Sequence, residues 1–378
     1  MTHIVIISTS FPLDNSGAEA AGSFVADFVQ ELSKHVQVTV LAPGYENKLE
    51  KNNAYNIQRF AVPKLPLSLL SPANLIDWIS IFRTLRSGTN AITELHKSSP
   101  CDHIFALWAL PSGYWANYAM KKFGVPYSTW ALGSDIWSLA KVPLVRNLLK
   151  KVLQDSLYCF ADGYALKEDV EKISQRNCIF MASSRQIAAS KDKKIAIEPP
   201  YKLAFLGRWH VNKGIDLLMD ALGILDEKAW SRIEKIRICG GGPLEEDVSK
   251  AVDELHLNGR PVYKSGFLDK SQAVELFTWA DYILIPSRIE SIPVVFSDAM
   301  QCGVPVITTP VGDLPRIVKK YDVGILADDV SSDAIHNAIC KSLDKSPDEF
   351  YMKTQLARQE FNIKEIVKQY LGYIKFQE

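Results

Sequence analysis

Four charged side chains fall where a strand would hand over to a helix. Arg208 closes the run Phe205-Leu206-Gly207-Arg208, which reads as a strand end, and Lys213-Gly214 opens the apolar-striped helix expected over Ile215–Leu225. A guanidinium and an ammonium beside the positive end of a helix dipole suit a phosphate group. Two solvated surface cations would show the same spacing. Further on, Glu290 lies in the loop after the strand Tyr282–Ile285, and a helix is expected from Pro293, well suited to a first helical position, to about Gln301. Asp298 sits five residues into that helix, about 7 Å along its axis. Two carboxylates so spaced can face one cleft without pairing, one on a sugar hydroxyl and the other on a ribose deeper in. Gly240-Gly241-Gly242-Pro243 follows another strand, and its glycines would let a ligand approach the backbone. It has neither the Gly-Lys-Ser/Thr of a Walker loop nor the dinucleotide GxGxxG spacing, and a tight turn explains it equally well.

These residues need a scaffold, and the hydrophobic pattern supplies one. The 378 residues suffice for two or three domains, with 47% hydrophobic and 23% charged residues, as in an ordinary globular chain. Forty-three basic against forty-three acidic side chains leave no net charge, which speaks against a dedicated nucleic-acid binder. Six scattered cysteines form no CxxC pair and read as buried thiols rather than disulfides or zinc ligands. No leader-like or membrane-spanning segment is apparent, so a cytoplasmic chain is expected.

Short apolar strands alternate with amphipathic segments throughout: Ile4–Ser8, Val36–Leu41, Ile104–Ala106, Tyr127–Trp130 and Gly163–Ala165, then Leu203–Leu206, Ile236–Cys239, Val262–Tyr263, Tyr282–Ile285, Val304–Thr308 and Gly324–Leu326. Such runs mean parallel sheets covered on both faces. The polar stretch 183–202, ending in Pro199-Pro200, reads as a linker. The expected architecture is α/β with two doubly wound Rossmann-like domains facing across a cleft. The first spans residues 1–190, the second 200–355, and a terminal helix within 356–378 is free to pack back on the first.

The segments FLGRWHVNKGIDLLMDAL, ICGGGPLEEDV and Glu290–Pro310 together resemble the C-terminal half of a family 4 retaining glycosyltransferase of the GT-B fold. The resemblance implies that Arg208 and Lys213 hold the diphosphate of a nucleotide-sugar and that Glu290 contacts the donor sugar. It gives the ribose to Asp298, where the family has Glu, and assigns Gly207, Gly242, Phe267, Pro293 and Val294 to the donor site. In the first half, Gly22-Ser23-Phe24-Val25 is similar to the family's glycine loop, placing Gly22 near the donor phosphate. Trp108 through Gly113 and Gly133-Ser134-Asp135 resemble segments at the cleft mouth, so Trp108, Ser134 and Asp135 are expected on the acceptor side. Leu132 stands where the family often has His.

The expected activity is transfer of a sugar from a nucleoside-diphosphate sugar to an acceptor hydroxyl, with retention, in glycan, polysaccharide or glycolipid synthesis. No cofactor is expected, because two cations and helix ends can stabilise the leaving diphosphate without a metal. Residues 141–151 hold four cations, no acid and an apolar stripe. Such a segment can lie on an anionic membrane, which raises a lipid-linked acceptor and peripheral contact at the inner face; a solvated helix accounts for it equally. A sugar-nucleotide epimerase and a non-catalytic nucleotide-sugar binder are the competing readings.

Overall fold

The apolar runs become strands because β-branched and aromatic side chains pack on a pleated surface buried on both sides. The structure, a computed structural model, describes residues 2–13, 20–72, 74–187 and 195–374. The chain divides into two compact units, Met1–Arg185 with Ile363–Glu378, and Gln186–Asn362.

The first unit holds β1 (His3–Ser8), β2 (Gln37–Gly44), β3 (Lys48–Lys51), β4 (Asn56–Ala61), β5 (His103–Leu107), β6 (Tyr127–Ala131), β7 (Cys159–Ala161) and β8 (Cys178–Phe180). They form one sheet in the order β3-β4-β2-β1-β5-β6-β7-β8. All its pairings are parallel except β3 with β4. Side chains alternate between faces along each strand. Val5, Ile7, Ile104 and Ala106 join Trp115, Leu149 and Val152 in one core. On the other face Phe105 stacks on Tyr370 at 4.2 Å between ring centroids. Tyr370 belongs to the helix Ile363–Ile374, so the chain's last described helix completes this unit's core, against the helix Ala20–Leu32.

The second unit holds β9 (Tyr201–Arg208), β10 (Ile233–Gly241), β11 (Val262–Ser265), β12 (Tyr282–Ile285), β13 (Val306–Thr308) and β14 (Gly324–Leu326). They form an all-parallel sheet in the order β11-β10-β9-β12-β13-β14. Leu203, Phe205, Ile236, Ile238 and Leu284 pack against Ile215, Leu218 and Leu222 in its core.

Each sheet has one point where the strand order reverses. In the first unit it lies between β1 and β5, in the second between β9 and β12. Loops leaving neighbouring strands there diverge to opposite faces and open a crevice at the strand C-termini, where doubly wound sheets bind ligands.

Three sequence expectations are corrected. Gly163–Ala165 is not a strand: Cys159–Ala161 is, and Gly163 caps the helix Tyr164–Ser174. The hairpin of β3 and β4 was not expected, nor was β8. The expected linker 183–202 runs into β9, which starts at Tyr201.

Candidate active site

The second unit's crevice is built from the ends of β9 and β12. Arg208, the last residue of β9, is exposed. The chain after it is tied to the neighbouring strand end by Trp209 N–H donating to Gly241 O at 2.9 Å, and Leu244 N–H donates back to Trp209 O at 3.1 Å. A Cβ on Gly242 would come within 3.2 Å of Arg208 Cγ. Gly207, Arg208 and Gly242 therefore form one surface at the ends of β9 and β10.

Lys213 ends the single 3₁₀ turn Val211–Lys213, and Gly214 follows at φ 65° before the helix Ile215–Gly223. Only a glycine fits at 214, because a Cβ would stand 1.8 Å from Pro286 O in the loop after β12. This contact brings the two loops together. Lys213 Nζ donates to Glu290 Oε1, joining residues 77 positions apart. The Lys213 side chain is 37% exposed and that of Glu290 15%, so the pair lies at the surface with its carboxylate turned inward. Gly312, at φ 53°, backs the same loop: a Cβ there would meet Glu290 O at 2.1 Å and Ser291 O at 2.4 Å. Asp313 N–H donates to Ser291 O at 3.1 Å.

Beyond Glu290, Pro293 is the extended N-cap of the helix Val294–Gln301, not its first helical residue. Val294 opens the helix, whose first N–H groups lack partners within it. Asp298 lies on this helix as expected but is fully buried. Its carboxylate is thus packed inside, whereas the Glu290 side chain keeps 15% exposure, so the two acids, whose spacing allows them to face one cleft unpaired, differ in access. Phe267, in contrast, is 66% exposed, with its ring over Gly241.

Sequence reading missed the group that fixes Lys213. Arg288 makes a two-pronged pair with Asp216, both contacts at 2.7 Å, and also donates to Val211 O at 2.7 Å. Its own N–H donates to Asn212 O at 2.8 Å. One residue thereby clamps the Lys213 turn onto the Glu290 loop. Burial acts to raise the Asp216 carboxyl, but the Arg288 hydrogen bonds and charge outweigh it and hold it below the usual range. Two buried polar groups beside these loops, Trp209 Nε1 and Ser291 Oγ, have no hydrogen-bond partner. Among the described residues, no three His, Cys, Asp or Glu side chains are grouped to hold a metal ion.

In the first unit the expected residues gather at its own strand-order reversal. Trp108, just after β5, is half-buried at φ 64°, a conformation strained by about 1 kcal/mol for a residue with a Cβ. Asp135 is 1% exposed, and its carboxylate accepts from Ala109 N at 2.6 Å and Leu132 N at 3.2 Å. It is a clip joining the β5 and β6 loops, where a side chain open to ligand was expected. Burial raises its pKa to about 6, against the lowering effect of those N–H groups. Ser134 beside it is exposed, opening the short helix Ser134–Trp137. Gly22 lies in the first turn of the helix Ala20–Leu32, at the helix start where it is expected, with a Cβ there 3.0 Å from Pro12 Cδ. Residues 14–19, which precede that helix, lie outside the described residues.

Residues 187–359, which carry the whole of the second-unit site, match the family described as glycosyl transferases group 1. The N-acetyl-alpha-D-glucosaminyl L-malate synthase of Bacillus anthracis is 24% identical over 251 residues, 63% of this chain. That match spans 64% of the relative's length, less than two thirds. Sucrose-phosphate synthase from Thermosynechococcus elongatus superimposes with a TM-score of 0.74 at 18% identity, covering 100% of this chain and 99% of that one. Anabaena HepE in complex with UDP-glucose gives 0.71 at 15% identity, covering 99% and 100%. Through the unit that holds Arg208, Lys213 and Glu290, this chain is similar to the glycosyl transferases group 1 family, and its two parallel-sheet Rossmann-like units have the architecture of the GT-B fold.

Proposed function

We propose that the chain transfers a sugar, with retention, from a nucleoside-diphosphate sugar to an acceptor hydroxyl on a glycan or lipid-linked molecule. The observation that carries this reading is the meeting of Lys213 with Glu290 at the strand-order reversal of the second sheet, where Arg208 ends the strand β9. A crevice with two cations and one carboxylate matches a donor that is anionic at its diphosphate and rich in hydroxyls at its sugar. The exposed ring of Phe267 offers a surface for the base, and HepE in complex with UDP-glucose is a fold neighbour that holds such a donor.

In the proposed reaction the bond between the anomeric carbon and the diphosphate oxygen breaks, and its electron pair stays on that oxygen. Arg208 and Lys213 neutralise the growing charge, with helix N-termini adding fixed dipoles. The acceptor oxygen bonds to the anomeric carbon, and its proton passes to the leaving phosphate oxygen. Glu290 would hold the sugar through its hydroxyls. On donor binding, Lys213 Nζ would exchange part of its contact with Glu290 for the phosphate. Asp298, fully buried, would act from behind by holding the Val294–Gln301 helix rather than by touching ribose. Acceptor contacts are assigned to the Trp108 and Ser134 loops of the first unit.

A thermal-shift series with uridine, guanosine and adenosine diphosphates and their sugars tests the reading, because a ligand that binds only the folded state raises the melting temperature. One nucleotide should stabilise the wild type and leave Lys213→Ala unchanged. Incubation with donor alone should leave the donor sugar unconverted, which separates transfer from epimerisation.

A further inference from the structure

The helix Trp78–Ser98 buries one stripe only. Thr84, Gly88, Ile92 and Leu95 face inward, at the spacing of a single helical face. Gly88 lies so close to Trp115 that a Cβ would stand 2.3 Å from its ring, and Trp115 Nε1 donates to Leu85 O at 2.9 Å. That side is closed.

The opposite side carries the residues that a folded chain ordinarily hides. Leu75 is 81% exposed, Ile76 85%, Ile79 66% and Phe82 64%, and Leu69 and Trp78 are also exposed. At 100° per residue Ile79, Phe82, Arg83 and Arg86 share one face, across from Gly88, and the 3₁₀ turn Leu75–Asp77 leads into the helix. Arg83 and Arg86 are exposed, and no acid occurs between Trp78 and Thr93. Asp77, the residue before that helix, accepts from Ser71 N–H at 3.0 Å.

A second helix repeats the pattern. Pro143–Asp155 buries Leu149, Val152 and Leu153 and exposes Leu144 and Leu148 among Lys141, Arg146, Lys150 and Lys151. A Cβ on Gly113 would meet Val152 Cγ1 at 2.5 Å. Hence the helix Ser112–Phe123 lies between the two, touching one through Trp115 and the other through Gly113. Both exposed tips are at helix N-terminal ends, which follow the C-terminal ends of β4 and β6. They therefore stand on the same rim of the sheet as Trp108 and Ser134.

We propose that this rim of the first unit docks on an anionic lipid bilayer, with Leu75, Ile76, Ile79 and Phe82 entering the interface and Arg83 and Arg86 meeting the headgroups. A row of exposed apolar side chains backed by cations suits a bilayer, which yields to whatever enters it. A stable protein partner would instead need a broad complementary face. Each cation near an anionic surface adds roughly fivefold to partitioning. The inference stands apart from the proposed transfer, since vesicle binding requires neither donor nor turnover.

The test is flotation of the full chain with vesicles of phosphatidylcholine, alone or mixed with phosphatidylglycerol, at low and high salt. Wild type should float with the mixed vesicles and less well at high salt. The double variant Ile79→Glu, Phe82→Glu should lose at least about tenfold in binding at both salt levels. Arg83→Gln with Arg86→Gln should lose binding mainly at low salt. All of these positions are exposed, so the melting temperature should not move. Wild type that fails to float with either vesicle, or an Ile79→Glu, Phe82→Glu variant that floats as wild type does, overturns the proposal. So does a wild-type dimer, seen by sedimentation, that the same variant dissolves, because the row would then be a contact between copies.

Discussion

Lys213 and Glu290 come from opposite sides of the strand-order reversal and meet in a single ion pair, backed by two glycines where a Cβ would clash with the adjoining loops. The pair is too exposed to be a large source of stability, since surface pairs contribute about 1 kcal/mol or less. Its consequence is geometric: an ammonium and a carboxylate are held at one point of the crevice. Lys213→Ala should lower the transfer rate by at least about a hundredfold, consistent with loss of one charge-stabilising donor, with the unfolding midpoint nearly unchanged. Glu290→Gln should reduce turnover while retaining diphosphate binding, because the cations remain. Steady-state kinetics with nucleotide titrations distinguishes the two effects.

Arg288 acts on the site through Lys213. Replacing it with Lys keeps the charge but cannot reproduce two parallel contacts to Asp216 together with one to Val211 O. Arg288→Lys should therefore weaken donor binding severalfold while changing stability by about 1 kcal/mol or less. Asp216→Asn should give a similar loss through the same turn. Unchanged donor affinity in both variants would mean that the turn holds its shape without the clamp.

Gly214 is a test of the loop contact itself. Its φ of 65° and the 1.8 Å approach of an added Cβ to Pro286 O leave no room for a side chain. Gly214→Ala should cost at least about 2 kcal/mol in a urea titration. It should also lower activity by more than the lost folded fraction explains, because Lys213 moves with the turn.

Two buried groups of the first unit give opposing pH dependences. Burial lowers the pKa of His103 from 6.5 to about 4, while its Nε2 lies 3.1 Å from Ser128 Oγ. As pH falls from about 6.5 toward 4, the unfolded chain takes up a proton that the folded one refuses, and stability is lost. Asp135 runs the other way: its folded pKa is raised from 3.8 to about 6. Stability present below about pH 4 is lost as pH rises through 6, because the folded state must give up a proton it holds more tightly. Over this window each group alone is worth up to about 3 kcal/mol, and the two offset one another. His103→Gln should therefore lose stability, relative to wild type, as pH rises from 4 to 6.5, whereas Asp135→Asn should gain it. Unfolding of the first unit followed across that range checks both signs. Parallel profiles for all three proteins would contradict the assignment.

Much of the second unit was legible in advance because its strands are short, apolar and β-branched, and its site residues fall at strand ends. The first unit was harder. β3 reads Lys-Leu-Glu-Lys and lies on the sheet's edge, so it lacks the apolar signature of a buried strand. The run around Gly163 was misplaced because helix and strand residues there are equally apolar, and only the glycine cap separates them. The Arg288–Asp216 clamp joins residues 72 positions apart, beyond any local pattern. Nor could spacing reveal that Asp298 would be wholly enclosed, since helical periodicity gives a direction but not what covers it.

The central claim is that Arg208 and Lys213 receive a diphosphate. Calorimetric titration of the preferred nucleoside diphosphate into wild type and into Arg208→Ala with Lys213→Ala, at two salt concentrations, tests it most directly. Binding to wild type should weaken with salt, and the double variant should lose at least about a hundredfold in affinity. Equal affinities for the two proteins would place the diphosphate elsewhere and end the account.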